Sequence, residues 1–180
     1  LGRLSAEQRP QVLHQAGEKQ IEGLRAAYAR ARVEGDLRPF IEDMATAYAE
    51  ADLVICRAGA LTVAELAVVG AASLLVPFPH AVDDHQTGNA RFLAERGGAY
   101  LLPQTELNAE RLAGILASID RPRLLQMAEH ARALARPLAA ADYQLSDSHL
   151  TLQPASARFV IDSSVRIHPE SNTALEGLYK

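Results

Sequence analysis

Asp52-Leu-Val-Ile-Cys-Arg-Ala-Gly-Ala-Leu-Thr-Val-Ala-Glu65, with Pro77-Phe-Pro-His-Ala-Val-Asp-Asp-His-Gln-Thr-Gly-Asn89 beyond it, decides the fold of this chain. Leu53-Val-Ile-Cys56 is continuously apolar, the pattern of a strand covered on both faces. A turn of small residues follows at Ala58-Gly59-Ala60, and the spacing predicts a helix from about Thr62. A strand–turn–helix of this kind aims the unpaired N–H groups of the first helical turn at one point, where an anion such as a diphosphate can sit.

Outward from that stretch, short apolar segments alternate with amphipathic ones. Candidate strands are residues 11–15, 37–40, 53–56, 73–77 and 99–102. Candidate helices are residues 19–32, 43–49, 62–69, 86–96, 108–117 and 121–135. Alternation of this type predicts an α/β fold, a doubly wound parallel sheet with helices. Ligands of such sheets bind at the carboxyl ends of the strands. His14-Gln-Ala-Gly17, Phe40-Ile41, Arg57-Ala-Gly-Ala60 and Phe78-Pro-His80 fall at those ends. After Pro137 the texture changes to serine-rich, alternating sequence, which reads as two β-strands, one in residues 142–152 and one in 157–168. We therefore expect a domain at 1–137 and a β-rich appendage at 138–180.

The chain has 180 residues and a net charge of −4, with no Lys/Arg block to attract nucleic acid. Cys56 is the one cysteine, so there is no disulfide framework, and as the last residue of an apolar strand it reads as core. No apolar run approaches the ~20 residues that span a bilayer, and no signal peptide is visible, which points to a cytoplasmic setting. Leu1 in place of a starting Met suggests a fragment.

Several polar residues carry more than one meaning. Thr62-x-x-Glu65 reads as a capping box, the Thr side chain meeting the third amide and Glu65 reaching back. With Glu65 turned outward, the same residues would bond a ribose diol while the amides of Ala60, Leu61 and Thr62 hold phosphate. His80-x-x-Asp83-Asp84-His85 has metal-ligand chemistry but bridges a strand end and a helix start, where an Asp serves as cap; we expect no metal. His85, Gln86 and Asn89 suit the hydroxyls of a sugar or a solvated helix start. His14 has no nearby nucleophile with an orienting third group, and no phosphate-loop or zinc-peptidase motif is present.

His14-Gln-x-Gly17, Phe40-Ile-Glu-Asp-Met44, Cys56-Arg-Ala-Gly-Ala-Leu-Thr-x-x-Glu65 and Pro77-Phe-Pro-His-Ala-Val-Asp-Asp-His-Gln-Thr-x-Asn-Ala90 together closely resemble the MurG family. Those enzymes convert lipid I to lipid II in bacterial peptidoglycan synthesis, at the cytoplasmic face of the inner membrane. The resemblance covers about residues 11–137 and implies the Rossmann-like C-terminal, donor-binding half of a GT-B fold, with UDP-N-acetylglucosamine as donor. It implies that Ile41 recognises the uracil edge through its backbone. Ala60, Leu61 and Thr62 would face the diphosphate and sugar, Glu65 would take the ribose hydroxyls, and His85 and Gln86 the N-acetylglucosamine hydroxyls. No metal or other cofactor is implied, and no catalytic residue is assigned. The acceptor-binding half and the first βα unit of the donor half have no counterpart here, so transfer by this chain alone is not expected.

The tail is similar to another family. Asp142-Tyr-Gln-Leu-Ser-Asp147, Ala157-Arg-Phe-Val-Ile161 and Asn172-Thr-Ala-Leu-Glu-Gly-Leu-Tyr179 resemble the N-terminal β-domain of bacterial aminopeptidase N. No peptidase residue follows from it. The alternative to a donor-binding half is thus a non-catalytic chimera of two truncated pieces. Loss of a central βα unit would also leave an unpaired strand edge and marginal stability.

Overall fold

The computed structural model of the chain describes residues 1–79, 84–135, 143–145 and 150–152. Five short strands alternate with helices, in the order β1 (Leu13–Gln15), α1 (Ile21–Ala31), β2 (Asp36–Arg38), α2 (Met44–Glu50) and β3 (Val54–Cys56). Then follow α3 (Ala60–Val69), β4 (Ser73–Leu75), α4 (His85–Ala94) and β5 (Ala99–Leu101), and the helices α5 (Ala109–Ser118) and α6 (Arg121–Leu134). The strand cores lie inside the segments expected from apolar runs, apart from a one-residue shift of β2.

β1 pairs with β2 in parallel, His14 opposite Leu37. β3, β4 and β5 form a second parallel sheet, with Ile55 opposite Leu74 and Leu74 opposite Tyr100. Each parallel neighbour is reached through a helix, as a parallel connection requires. The central strand β4 is wholly buried, which explains its uninterrupted apolar sequence. Among the described residues, β1 and β3 each pair on one side only. Both leave apolar side chains open, Leu13 and Ile55 being exposed.

The core gathers around α3. Val63, Leu66 and Ala67 from α3 meet Leu75 of β4, Ala90 and Leu93 of α4 and Tyr48 of α2. α6 covers α3 from outside with Met127 and Ala131 fully buried, and Arg132 donates from its guanidinium to the carbonyls of Val68 and Val69 at the end of α3. α3 itself ends in a left-handed glycine, Gly70 (φ 74°), with Ala71 N–H bonded to the Leu66 carbonyl and Gly70 N–H to that of Ala67. That is the bond pattern that satisfies the last helical carbonyls. Asp43, Asn108 and Asp120 cap α2, α5 and α6 by accepting from the amides of Thr46, Arg111 and Arg123.

Two expectations are corrected. α3 starts at Ala60, not Thr62: its N-cap is Gly59, in extended conformation, and its first helical bond runs from Val63 N–H to the Gly59 carbonyl. Thr62 is therefore the third helical residue, and Thr62-x-x-Glu65 is not a capping box. Residues 142–152 hold two strands rather than one, since β6 (Tyr143–Leu145) and β7 (Leu150–Leu152) pair antiparallel with Tyr143 opposite Leu152. The strand expected in 157–168 lies outside the described residues.

Candidate functional site

The α3 N-terminus supplies the donors. Because the first helical bond belongs to Val63, the amides of Ala60, Leu61 and Thr62 have no acceptor within the helix. They carry the positive end of the helix dipole, which favours a negative group. The turn leading into them is tightly held. Asn89 of α4 donates its side-chain amide to the carbonyl of buried Ala58 at 3.0 Å. Arg57 donates to the carbonyls of Val76 and Pro77, each at 3.2 Å, and its guanidinium lies 5.4 Å from the centre of the Phe78 ring. Arg57 and Asn89 thus tie the strand ends of β3 and β4 and the start of α4 into one unit.

Glu65 lies one turn further along α3, exposed as a ligand contact requires. It lines a hollow of about 140 Å³ with Met44, Ala45, Tyr48, Val68 and Val69. Burial, and then the negative Glu65 beside it, push the Tyr48 hydroxyl up to about 12. Glu65 therefore has a protein neighbour in the Tyr48 hydroxyl instead of the helix-start amides that a capping box would give it.

Both glutamines of the site spend their oxygen on the backbone. Gln86 Oε1 accepts from Phe78 N–H at 2.9 Å, and Gln15 Oε1 accepts from Ile41 N–H at 2.8 Å. The Ile41 amide is thereby occupied, and the Ile41 side chain is buried. His85 is the exposed first residue of α4, whose cap residue Asp84 is left-handed (φ 51°) and accepts from the Thr87 hydroxyl. Asn89, grouped with them from sequence, uses its side-chain amide nitrogen to hold the Ala58 turn. His14 bonds the Tyr28 hydroxyl through Nδ1 at 3.1 Å, and burial lowers its pKa. The exposed apolar side chains of Phe40 and Leu61 flank these polar groups in sequence, at 66% and 67% exposure. Among the described residues no cluster of three metal-binding side chains occurs; His80 and Asp83 lie outside them.

The sequence of residues 2–148 matches the glycosyltransferase family 28 C-terminal domain. The chain belongs to this family. A family 28 relative of high similarity is the UDP-N-acetylglucosamine--N-acetylmuramyl-(pentapeptide) pyrophosphoryl-undecaprenol N-acetylglucosamine transferase of Azoarcus sp. (strain BH72), 84% identical over 139 residues, 77% of this chain and 39% of the relative. A transferase of the same name from Dechloromonas aromatica (strain RCB) is 61% identical over 134 residues, 74% of this chain and 38% of the relative. The crystal structure of Acinetobacter baumannii MurG superposes with a TM-score of 0.65 at 50% identity, covering 69% of this chain and 38% of that one. The fold of this family 28 chain is accordingly the Rossmann-like C-terminal half of a GT-B transferase. The chain spans about two fifths of the length of the curated relatives it matches.

Proposed function

We propose that this chain is the donor-binding half of a MurG-like transferase and holds UDP-N-acetylglucosamine. In the whole protein that donor would supply N-acetylglucosamine to lipid I at the cytoplasmic face of the membrane. The observation that carries the proposal is the α3 start: three amides without helical acceptors, at the end of a parallel strand, in a chain of this family. Ala60, Leu61 and Thr62 would bind the diphosphate and the sugar, and Glu65 would accept from the ribose hydroxyls. His85 and Gln86 would meet the N-acetylglucosamine hydroxyls, Gln86 through the amide nitrogen left by its bond to Phe78. Ile41 would lie at the uracil edge.

No metal is needed in this account, since amides and the helix dipole balance the diphosphate. No helix among the described residues is long and apolar enough to cross a membrane. Transfer requires groups aligned on both sides of the reacting carbon, so donor binding is the activity we assign to this chain.

A second reading rests on the tail. The β6–β7 pair is antiparallel and hydrogen-bonded to neither parallel sheet, which favours a unit of different origin in the tail, although the family match itself extends to residue 148. The aminopeptidase N resemblance stands on its sequence motifs alone, because residues 142, 157–161 and 172–179 lie outside the described ones. On that reading the chain joins two truncated pieces and has no activity of its own.

Calorimetric titration with UDP separates the two. The donor-half reading expects saturable heat in the parent and about tenfold weaker binding in Glu65→Ala, the loss of one or two hydrogen bonds to a charged acceptor. No heat at millimolar UDP from a folded parent overturns it. Equal binding by parent and variant removes Glu65 from the site.

A further inference from the structure

We propose that Tyr48 is a positioning residue for Glu65: its hydroxyl, held by the core, orients the Glu65 carboxylate to receive a ribose diol. The proposal rests on the donor-half reading above, which gives Glu65 the ribose but not the means of aiming it. Glu65 is an exposed residue of α3 with a long, flexible side chain. Among the described residues no Lys or Arg forms an ion pair with it. A carboxylate left to itself samples several rotamers, and a ligand that needs one of them loses affinity in fixing it.

Tyr48 supplies a fixed partner. Helices α2 and α3 pack together, and Met44, Ala45 and Tyr48 of the first wall one hollow with Glu65, Val68 and Val69 of the second. The Tyr48 ring is anchored: the residue is 9% exposed and belongs to the core cluster of Val63, Leu66 and Leu75. Burial first, then the Glu65 charge and, to a lesser degree, a hydrogen bond to Glu65 push the hydroxyl up to about 12. Near neutral pH it therefore keeps its proton and donates. The other four residues of the hollow are apolar, so the phenol and the carboxylate are its polar side chains. A carboxylate has about four lone-pair sites. One bond from Tyr48 sets the plane of the group and leaves the remaining sites to the two hydroxyls of a diol.

The test compares UDP with its dideoxy analogue, which lacks both ribose hydroxyls, by calorimetry on the full chain. Tyr48→Phe keeps the ring in the core and removes only the hydroxyl. It should weaken UDP about fivefold, the cost of one side chain that must now be fixed on binding. Binding of the analogue should stay within about twofold of the parent, because the analogue has nothing for Glu65 to accept. In a Glu65→Ala background, adding Tyr48→Phe should leave UDP affinity unchanged, since two residues that act through one contact do not add. Equal weakening of UDP and the analogue by Tyr48→Phe overturns the assignment, as that is what a purely structural role in seating α3 would give. A Tyr48→Phe protein that binds UDP like the parent, or one whose loss persists without Glu65, overturns it too. A parent that binds UDP and the analogue alike removes the ribose from Glu65 and overturns the proposal while leaving the diphosphate site intact. A folded parent that binds neither overturns the donor-half reading as well.

Discussion

Asn89 on α4 donates its side-chain amide to the carbonyl of Ala58 at 3.0 Å, fixing the turn that aims the α3 amides. Ala58 is fully buried, so without Asn89 its carbonyl is left without this partner. Asn89→Ala should cost about 1–3 kcal/mol, the penalty for a buried carbonyl that loses its bond. Urea unfolding of the two proteins measures it; a difference below about 0.5 kcal/mol would mean the turn holds without Asn89.

Tyr48 gives the fold an alkaline weakness. Burial and the Glu65 carboxylate push its hydroxyl up to about 12, whereas in the unfolded chain it ionises near ~10. The folded state therefore holds a proton that the unfolded state releases between those values. The contribution is full below pH ~10 and is lost as pH rises through about 12. Tyr48→Phe should flatten that part of the fall. Denaturation midpoints of parent and variant at several pH values check it, and parallel declines would count against the Tyr48–Glu65 arrangement.

Cys56, at the end of β3, has its thiol pushed up to about 11 by burial. The thiolate is the reactive form. In the native protein near neutral pH, Cys56 should react with a disulfide reagent at least about tenfold more slowly than in urea. Equal rates would show that the β3 end is open to solvent.

The elements of this chain were legible where the local pattern and the tertiary outcome agree. Ser73-Leu-Leu-Val76 reads as a covered strand and β4 is buried throughout, whereas the equally apolar Leu53-Val-Ile-Cys56 forms β3 with Ile55 exposed, so the same pattern misleads there. The α3 start lies two residues before the Thr62-x-x-Glu65 capping-box pattern, because the extended Gly59, which has no side chain to signal a cap, ends the turn. The polar residues of the site were legible as a group, but not their partners. Asn89 meets Ala58, Gln15 meets Ile41 and Arg57 meets Val76, contacts 31, 26 and 19 residues apart. No local spacing rule reaches that far. The resemblance located the residues; only the fold showed which of their atoms are already engaged.

The open edges of β1 and β3 bear on stability. Each pairs on one side among the described residues, and Leu13 and Ile55 stand exposed there. In the doubly wound order 3-2-1-4-5-6 a central strand stands between positions equivalent to these two. Unpaired apolar edges invite association. We expect a broad urea transition at low denaturant and a sedimentation coefficient that rises with concentration. A sharp transition from a protein that stays monomeric would contradict this.

The central claim is that the α3 start holds the diphosphate of a UDP-sugar. Amide NMR shifts of the folded chain during titration with UDP-N-acetylglucosamine test it most directly. The account predicts saturable shifts that are largest at Ala60, Leu61 and Thr62, with smaller ones at Glu65 and Gln86. No shifts at millimolar donor, or shifts confined to residues away from the α3 start, would contradict it.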